Sequence, residues 1–285
     1  MTVNLLPIPT ITGPTPACMN LTGNVYTTQS GMENYTWSIS AGGSITAGGG
    51  STDNAVTITW TTLGAQTVSV NYTNTNACRA VSPTVYNVTV TACTRTLNLT
   101  SVFLQGLYNG AGTMRQASDE YGVHWPAGVA DHIIVELHSS TNYNTVIYSD
   151  SNVELSTTGS ATVIIPAIYN GTYYITIKHR NSLKTVSATA KSFVGSTITQ
   201  SFGSPSSVFG SNLVQMPDLI YAIYGGDVNQ DDIIDLSDSS PVDNQAALAG
   251  SGYISEDING DGLVDLSDFI CIDNNAAMAI GAITP

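Results

Sequence analysis

The most constraining feature of the chain is an acidic stretch that occurs twice near the C-terminus. The first copy reads GDVNQDDIIDLSD from Gly226, and the second reads EDINGDGLVDLSD from Glu256, thirty residues later. In both copies, oxygen-bearing side chains stand at positions 1, 3, 5, 9 and 12 of a twelve-residue loop. A fold that contains these stretches must gather five such side chains into one small loop, and do so twice.

This spacing matches that of a loop wrapped around a hard cation. Calcium takes about six to eight oxygen ligands, and EF-hand loops supply them from positions 1, 3, 5, 7, 9 and 12, with a backbone carbonyl at position 7. The sequence therefore predicts two Ca²⁺ sites. The predicted ligands are Asp227, Asn229, Asp231, the carbonyl of Ile233, Asp235 and Asp238 in the first loop, and Asp257, Asn259, Asp261, the carbonyl of Leu263, Asp265 and Asp268 in the second.

The two loops differ at position 6, where the backbone must turn sharply. Gly262 stands there in the second loop and Asp232 in the first. Glycine adopts positive φ without steric cost, whereas Asp is one of the few other residues that tolerate it. We therefore expect the first site to form but to be weaker or more strained. At position 8, Ile234 and Val264 are expected to pair across a short strand.

The alternative interpretation is that these stretches are solvated turns, but two copies in register argue against it. The charge distribution agrees: residues 225–285 hold twelve acidic residues and no Lys or Arg, whereas residues 1–224 hold nine acidic and seven basic residues. Without bound cations such a module would repel itself open. Nucleic acid is excluded as a partner, because phosphate binding needs clustered Lys and Arg.

Each loop leads into a segment that is predicted to form a short helix, LSDSSPVDNQAALAG after the first and LSDFICIDNNAAMAI after the second. No helix is predicted before the first loop, since YAIYGG is strand-like. In motif and in duplication, residues 225–285 resemble a type I dockerin module. The resemblance implies two bound Ca²⁺, folding that requires the metal, and docking onto a cohesin domain through helix surfaces.

The docking face departs from that family. Dockerins commonly carry Ser, Thr, Lys or Arg just after the loop ligands, where this chain has SSPVDN and FICIDN. Pro241, Phe269 and Ile270 instead suggest an apolar face that packs on the chain's own middle domain. The module is therefore either an intramolecular, calcium-clamped cap or a plug for a cohesin-like partner.

Alternating apolar and polar residues predict β-strands in the rest of the chain. Residues 1–92 are predicted to form an immunoglobulin-like β-sandwich, with Trp37 between its sheets. Residues 93–222 are predicted to form a second β-sandwich, and residues 223–285 the calcium module. The predicted fold class is mainly β, with two β-sandwich domains followed by a small α-helical module that holds two EF-hand-type loops. The strand-like segments are NYTWSIS, VTITW, QTVSVNY, TVYNVTV, LNLTSVFLQGLY, DHIIVELHS, ATVIIPAIY, TYYITIKHR and TVSATAKSF.

A second resemblance covers nearly all of the first ninety residues. PIPTITGPTPAC, NVYTTQSGMENYTWSISAGGSITAGG and AQTVSVNYTNTNAC resemble one unit of the PKD-like, immunoglobulin-like repeats of large secreted bacterial surface proteins. The resemblance implies a secreted or cell-surface location and a spacer or adhesion role. It also implies that LLPIPTITGPTP is a stiff linker of polyproline-like character.

Four cysteines in a chain of this composition favour disulfides over thiol chemistry. Cys18 and Cys78 lie near the two ends of the first predicted domain, so a bridge between them is expected. Cys93 and Cys271 then remain as a second pair. All three connectivities stay open on sequence alone.

The best candidate for an additional site surrounds His124 and Trp125, with Asp119, Glu120 and Asp131 close in sequence. Paired carboxylates beside an aromatic ring suit sugar binding or hydrolysis. The sequence has no Ser elbow, no zinc-type H-x-x-H and no phosphate-binding loop. A packed turn is therefore the favoured interpretation, and no enzymatic activity is predicted.

Two classes of function follow. The first is a non-enzymatic, calcium-stabilised structural or adhesive segment of a secreted bacterial surface protein. Its expected self-association into a fibre would use either exposed strand edges or the extended N-terminal arm. The second is a binding module, for a cohesin-like protein partner or for carbohydrate through the Trp125 region. No run of residues approaches the roughly 18 apolar residues of a membrane span, so no membrane anchor is expected.

Overall fold

The computed structural model describes residues 4–285, and most of its regular structure is β-strand. This confirms the predicted mainly β class. The chain divides into two compact units, one formed by residues up to 94 with 166–168, and the other by residues 95–165 and 169–285. The predicted middle and C-terminal modules thus lie within one compact unit.

The first unit is a β-sandwich of two sheets. Its strands are β1 (Ala17–Cys18), β2 (Asn24–Thr27), β3 (Glu33–Ile39), β4 (Gly43–Gly48), β5 (Ala55–Trp60), β6 (Gly64–Thr73) and β7 (Thr84–Thr91). Strands β1, β7, β6 and β3 form one sheet in that order, and β2, β5 and β4 form the other. The alternation that predicted β5, β6 and β7 is visible as alternating burial along β5.

Large aromatic side chains fill the space between these two sheets. Tyr26 and Trp60 are fully buried, and the Trp60 indole Nε1 donates a hydrogen bond to the Tyr26 hydroxyl at 3.0 Å. Trp37 is buried as predicted, and Val56 and Ile58 of β5 pack in the same core. Because buried indole and phenol groups need hydrogen-bond partners, the Trp60 to Tyr26 pair lets the core hold both rings.

The disulfide of the first unit joins Cys18 to Cys93, whose Cα atoms are 5.3 Å apart. The predicted bridges from Cys18 to Cys78 and from Cys93 to Cys271 are therefore wrong. Strand β1 pairs in parallel with the end of β7, where Cys18 lies opposite Thr91, and Cys93 follows two residues later. Cys78 precedes β7, so it lies near the far end of an eight-residue strand that spans about 25 Å.

The second unit contains another β-sandwich and two helices. Strands β14, β13, β16 and β17 form one sheet in that order, with β18 also paired to β16, and β15, β8 and β19 form the other. Two short 3₁₀ turns span Pro205–Ser207 and Phe209–Ser211. The elements are β8 (Thr94–Thr100), β9 (Tyr108–Gly110), β10 (Thr113–Met114), β11 (Ser118–Asp119), β12 (Gly122–Val123), β13 (Val129–Ser139), β14 (Val146–Ser156), β15 (Ala161–Pro166), β16 (Thr172–His179), β17 (Ser182–Val186), β18 (Lys191–Ser192), β19 (Thr197–Ser201), β20 (Val214–Gln215), β21 (Tyr221–Ala222), α1 (Leu236–Ala247) and α2 (Phe269–Ala276).

The core of this sandwich lies between its two larger sheets. Leu97 and Leu99 of β8 belong to the same buried cluster as Ile133 and Leu137 of β13. The strand predicted for residues 97–108 is shorter than expected, because β8 ends at Thr100 and the following Ser101 has φ 55°. A residue in that region cannot continue an extended strand.

A separate small core belongs to the C-terminal module, and both predicted helices are present there. Helices α1 and α2 follow the first and second acidic loops, respectively. Leu183, a residue of β17 in the sandwich, is a buried member of this core. The buried members are Leu183, Val228, Ile234, Val242, Ile258, Val264 and Ile272.

Candidate metal centres

The two acidic loops adopt the same hydrogen-bonded conformation at their ends. In the first loop, Asp238 Oδ1 accepts from the Val228 N–H at 2.7 Å and the Asn229 N–H at 3.1 Å, and Oδ2 accepts from the Asp235 N–H at 3.0 Å. The carboxylate at position 12 therefore closes the loop onto its own start.

In the second loop, Asp268 repeats this pattern. Its Oδ1 accepts from the Ile258 N–H at 2.8 Å and the Asn259 N–H at 3.0 Å, and its Oδ2 accepts from the Asp265 N–H at 3.0 Å. Both position 12 side chains are buried, with 0% exposure for Asp238 and 1% for Asp268. The duplication seen in the sequence is thus a duplication of loop geometry.

The intermediate positions also match between the loops. Asn229 Oδ1 accepts from the Asp231 N–H and Asp231 Oδ1 from the Ile233 N–H, at 2.9 and 3.1 Å. Asn259 and Asp261 make the equivalent bonds, to the N–H groups of Asp261 and Leu263, at 2.9 and 3.0 Å. Each of these bonds uses one side-chain oxygen locally, and an ionised carboxylate has further acceptor capacity for a cation.

The carboxylates at position 9 also accept hydrogen bonds from nearby backbone N–H groups. Asp235 Oδ1 accepts from the Ser237 N–H at 2.7 Å, and Asp265 Oδ1 accepts from the Ser267 N–H at 2.7 Å. The pKa of each of these carboxyls is lowered, first by the hydrogen bond from the serine side chain. They therefore stay ionised, as a calcium ligand must be.

Position 6 has a positive φ in both loops, as the sequence predicted. The φ angle is 75° at Asp232 and 86° at Gly262. A Cβ atom at Gly262 would lie 2.8 Å from the carbonyl oxygen of Asp119, so the second loop also needs glycine for close packing. The first loop tolerates a side chain at this position.

The two position 1 carboxylates are buried, and burial raises the pKa of both. Asp227 is 1% exposed and Asp257 is 0% exposed. Burial, followed by repulsion from Asp238, Asp232 and Asp231, raises the pKa of Asp227 to about 7. Burial also raises the pKa of Asp257 to about 6, although Arg180 and a backbone N–H oppose the rise.

One observation, which does not depend on counting charges, indicates that a cation fits this environment. The Oδ1 atom of Asp227 is buried and has no hydrogen-bond partner. By contrast, Asp257 Oδ1 accepts from the N–H groups of Gly260 and Asp261, and its Oδ2 accepts from that of Gly262. Orphaned buried carboxylate oxygens are costly, and a hard cation is their natural partner.

In the part of the chain that the structure describes, no three Asp, Glu, His or Cys side chains already converge as a metal cluster. The loops therefore present the donor types and the spacing for calcium without a preformed cluster of charged side chains. Asn side chains and backbone carbonyls supply the remaining oxygens of the predicted sets.

The halves of the module are interlocked through their backbones. The Ile234 N–H donates to the Ile280 carbonyl at 2.8 Å, and the Val264 N–H donates to the Gly250 carbonyl at 2.8 Å. Each loop thus pairs with the segment that follows the other loop's helix, rather than Ile234 pairing with Val264 as the sequence suggested. The two position 8 side chains meet instead in the shared core.

The turn between β16 and β17 holds the start of the second loop. Arg180 Nη1 donates to the carbonyls of Ile254 and Asp257, the latter at 2.7 Å. Asn181 Nδ2 donates to the carbonyls of Ser255 and Asp257, both at 3.0 Å. Two side chains from the sandwich therefore fix the backbone of the residue that carries the first predicted ligand.

The same turn also contacts the start of the first loop. The Gly226 N–H donates to the Asn181 carbonyl at 2.8 Å, and the Leu183 N–H donates to the Tyr224 carbonyl at 2.8 Å. Sequence reasoning missed this turn as a functional element. A usable signal was present, because Lys178, Arg180 and Lys184 are three of only seven basic residues in the chain.

A buried ion cluster lies behind this turn. Asp131 is fully buried, and its Oδ2 lies 3.0 Å from His179 Nε2 and 3.3 Å from Arg180 Nε. Its Oδ1 accepts hydrogen bonds from Trp125 Nε1 and the Tyr253 hydroxyl. Burial alone would raise the pKa of Asp131, but His179 and Arg180 hold it well below its ordinary range.

Two of the residues considered for sugar chemistry, His124 and Trp125, stack on neighbouring rings. His124 stacks on Tyr253 with ring centroids 4.4 Å apart and pairs with Asp119 at 2.7 Å. Trp125 stacks on His132 at 3.7 Å. Since Asp131 is engaged in the buried ion cluster, it does not form a carboxylate pair with Asp119.

The apolar residues after the loops do not all face inward. Phe269 packs against the module's own core, whereas Ile270 is 60% exposed. The expectation that Ile270 packs on the middle domain is therefore wrong. Leu236 and Leu266, which occupy position 10 of the two loops, are 79% and 81% exposed.

Comparison with known proteins identifies one family match. Residues 5–92 match a PKD-like domain, which agrees with the resemblance noted for the first ninety residues. A search of curated proteins finds no match to this chain. The family match covers the first unit and leaves the acidic module outside it.

Solved structures to which the chain is similar include a cohesin–X–dockerin complex, a pilin subunit and an adhesin. A type II cohesin–X–dockerin complex of Acetivibrio cellulolyticus is 16% identical, with a TM-score of 0.35, covering 64% of this chain and 94% of that one. The major pilin subunit of Bacillus cereus is 12% identical, with a TM-score of 0.29, covering 68% and 69%. An adhesin of Streptococcus sanguinis is 11% identical, with a TM-score of 0.25, covering 70% and 99%.

Proposed function

We propose that the chain is a non-enzymatic, extracellular structural or adhesive segment whose C-terminal module, residues 223–285, binds two calcium ions. The observation that carries the proposal is the Asp227 carboxylate, which is 1% exposed and has a buried Oδ1 without a partner. Such a group is destabilising unless a positive charge reaches it. The module itself has no Lys or Arg to supply that charge.

Calcium would supply positive charge at the two loops and so offset the repulsion among their carboxylates. The chain's own residues prepare the loops for it. The position 12 carboxylates, Asp238 and Asp268, fix the loop backbones, and Arg180 and Asn181 hold the entry to the second loop. On this account calcium stabilises a module that is already held against the β-sandwich.

An extracellular location is supported by the first unit. Residues 5–92 match a PKD-like domain, and the Cys18–Cys93 disulfide is of the kind that persists in oxidising compartments. Among residues 4–285, no helix is long and apolar enough to cross a membrane. A spacer or adhesive role requires only stable, linked β-sandwiches, and needs no catalytic site.

Isothermal titration calorimetry on the chelator-stripped full chain tests the proposal. We expect two calcium ions per chain, with dissociation constants of about micromolar or tighter. The double variant Asp235→Ala with Asp265→Ala should lose both sites. The double variant Asp243→Asn with Asp273→Asn removes the same charge from exposed helix positions and should bind both ions. Absence of binding to the wild-type chain would sink the proposal.

A second candidate function is docking of a cohesin-like protein through the C-terminal module. The observation that favours it is the exposure of Leu236 and Leu266, two equivalent leucines on the surface of a small module. Isolated exposed leucines are ordinary, but an equivalent pair suits a partner-binding surface. Calcium-dependent binding of a recombinant cohesin domain, lost in Leu236→Ser with Leu266→Ser, would favour docking over a purely structural role.

Self-association into fibres is distinguished from docking by particle size. Light scattering of the purified chain, with and without calcium, should show growth only if copies of the chain bind each other. A constant monomeric size in both conditions would remove the fibre from the proposed role, while leaving the calcium sites untouched.

A further inference from the structure

The residue that departs from the loop pattern, Asp232 at position 6, has a partner. Lys184 Nζ lies 2.6 Å from Asp232 Oδ2. The ion pair is partly sheltered, since the Lys184 side chain is 18% exposed and that of Asp232 is 46% exposed. The side chain that sequence reasoning treated as a defect is therefore the contact between the first loop and strand β17.

The backbone at Lys184 is anchored by the residue that precedes it. Lys184 follows Leu183, which is 1% exposed and packs in the core of the module with Ile234 and Val228. The main chain of Asp232 is also fixed, because its carbonyl accepts from the Ala282 N–H at 2.7 Å. Both partners of the ion pair thus stand on backbone that the fold has already positioned.

Position 6 of the second loop has different surroundings. Gly262 lies so close to the Asp119 carbonyl that a Cβ atom would be 2.8 Å from it. The first loop has room for a side chain and a lysine facing it. The difference between the loops therefore follows from what each loop meets on the sandwich.

We propose that Asp232 is a positioning residue that clamps the first calcium loop to Lys184 and compensates the charge of that lysine beside the site. This inference rests on the proposed calcium binding. An ammonium group left unpaired next to the loop would repel Ca²⁺, because two charges a few ångströms apart still interact appreciably near a protein surface. Asp232 cancels that repulsion at the expense of an unfavourable φ for a non-glycine residue.

Glycine is the residue that EF-hand loops prefer at position 6, so its introduction in place of Asp232 is informative. Asp232→Gly restores the preferred residue at position 6 and relieves the backbone, yet it leaves Lys184 unpaired. We expect it to weaken calcium binding at the first loop by about fivefold, as one uncompensated charge near a divalent ion would do. In a Lys184→Met background, the same Asp232→Gly change should weaken calcium binding less, because the clamp is already absent and only the attraction of the Asp232 charge for the ion is lost.

Calcium titrations of five full-length proteins test this, namely wild type, Asp232→Gly, Lys184→Met, the double variant and Lys184→Arg. The amide resonances of Ile233 and Leu263 report the first and second loops separately in one sample. We expect loss of affinity in Asp232→Gly at the first loop only, and retention in Lys184→Arg, which keeps the charge pair.

The outcomes separate the two proposals. If wild type binds calcium and Asp232→Gly binds it at the first loop as tightly as wild type or more tightly, the clamp is overturned and calcium binding stands. If the Ile233 amide of the wild type does not respond to calcium, the proposed function fails at this loop and the clamp fails with it. Equal weakening by Asp232→Gly with and without Lys184 would also overturn the clamp.

Discussion

At the scale of single residues, Asp227 and Asp257 occupy the same place in their loops but differ in their surroundings. Three backbone N–H groups donate to the Asp257 carboxylate, whereas Asp227 Oδ1 has no donor. The pKa values differ in the same sense. Burial raises the pKa of Asp257 to about 6 and that of Asp227 to about 7. The first loop therefore gains most from a bound cation.

Asp227→Asn should act in opposite directions with and without calcium. Without calcium it removes a buried unpaired charge, so the free energy of unfolding should stay level or rise by about 1 kcal/mol. With calcium it removes a ligand, so the calcium-induced rise in Tm should shrink. Thermal unfolding in calcium and in chelator checks this, with Asp243→Asn as the control. An unchanged calcium-induced rise would contradict the role of Asp227.

Asp131 lies at the centre of the buried ion cluster, and its loss should be severe. Asp131→Asn leaves His179 and Arg180 without their buried partner, so we expect a loss of about 3 to 5 kcal/mol at pH 7. Because the pKa of Asp131 is lowered in the folded state, its contribution is complete above the ordinary carboxyl pKa of about 4 and is lost as pH falls through the folded value.

The difference in the free energy of unfolding between wild type and Asp131→Asn should therefore become smaller below about pH 4. Urea unfolding at pH 7 and at pH 3 measures it. Glu154→Gln, which alters an exposed carboxylate on the neighbouring β14, should show neither the loss nor the narrowing. A gap that stays constant across this range would show that the Asp131 charge is not what the cluster uses.

At the scale of elements, the hairpin of β16 and β17 joins the sandwich to the C-terminal module. Its turn supplies Arg180 and Asn181 to the second loop, and its returning strand supplies Leu183 and Lys184 to the first loop and the core. A single hairpin thus contacts both candidate metal centres. Its position couples the stability of the sandwich to that of the loops.

Leu183→Ala should destabilise the protein and weaken calcium binding at both loops. Truncation of a fully buried leucine costs about 2 to 5 kcal/mol. Leu219→Ala is the matched control, because Leu219 is 72% exposed. Denaturant unfolding and calcium titration of both variants check the prediction. If Leu183→Ala behaved like Leu219→Ala, the hairpin would not be part of the module's core.

Local patterns predicted some elements well and others poorly. Strands β5, β6 and β7 follow directly from alternation, because that signal is local in sequence. The calcium ligands predicted from the spacing of Asp and Asn stay a prediction. The Cys18–Cys93 pairing and the hairpin contacts depend on which strand ends lie together. That information is tertiary, so spacing along the chain pointed to Cys78 instead.

At the scale of the whole molecule, charged residues are distributed very unevenly along the chain. Residues 1–224 are low in charge and are built around apolar β cores, whereas residues 225–285 hold twelve acidic residues and no Lys or Arg. Sequence composition alone located this contrast. It did not show that basic residues near the hairpin turn of the sandwich contact the acidic module, because Arg180 and Lys184 lie more than forty residues before the first loop.

Native mass spectrometry of the chelator-stripped full chain after addition of calcium counts the calcium ions that each chain holds. The two loops predict a species with two calcium ions per chain, reduced to one by Asp227→Asn and retained in full by Asp243→Asn. A chain that carries no calcium under these conditions, or one whose bound calcium is unaffected by Asp227→Asn, would contradict the account.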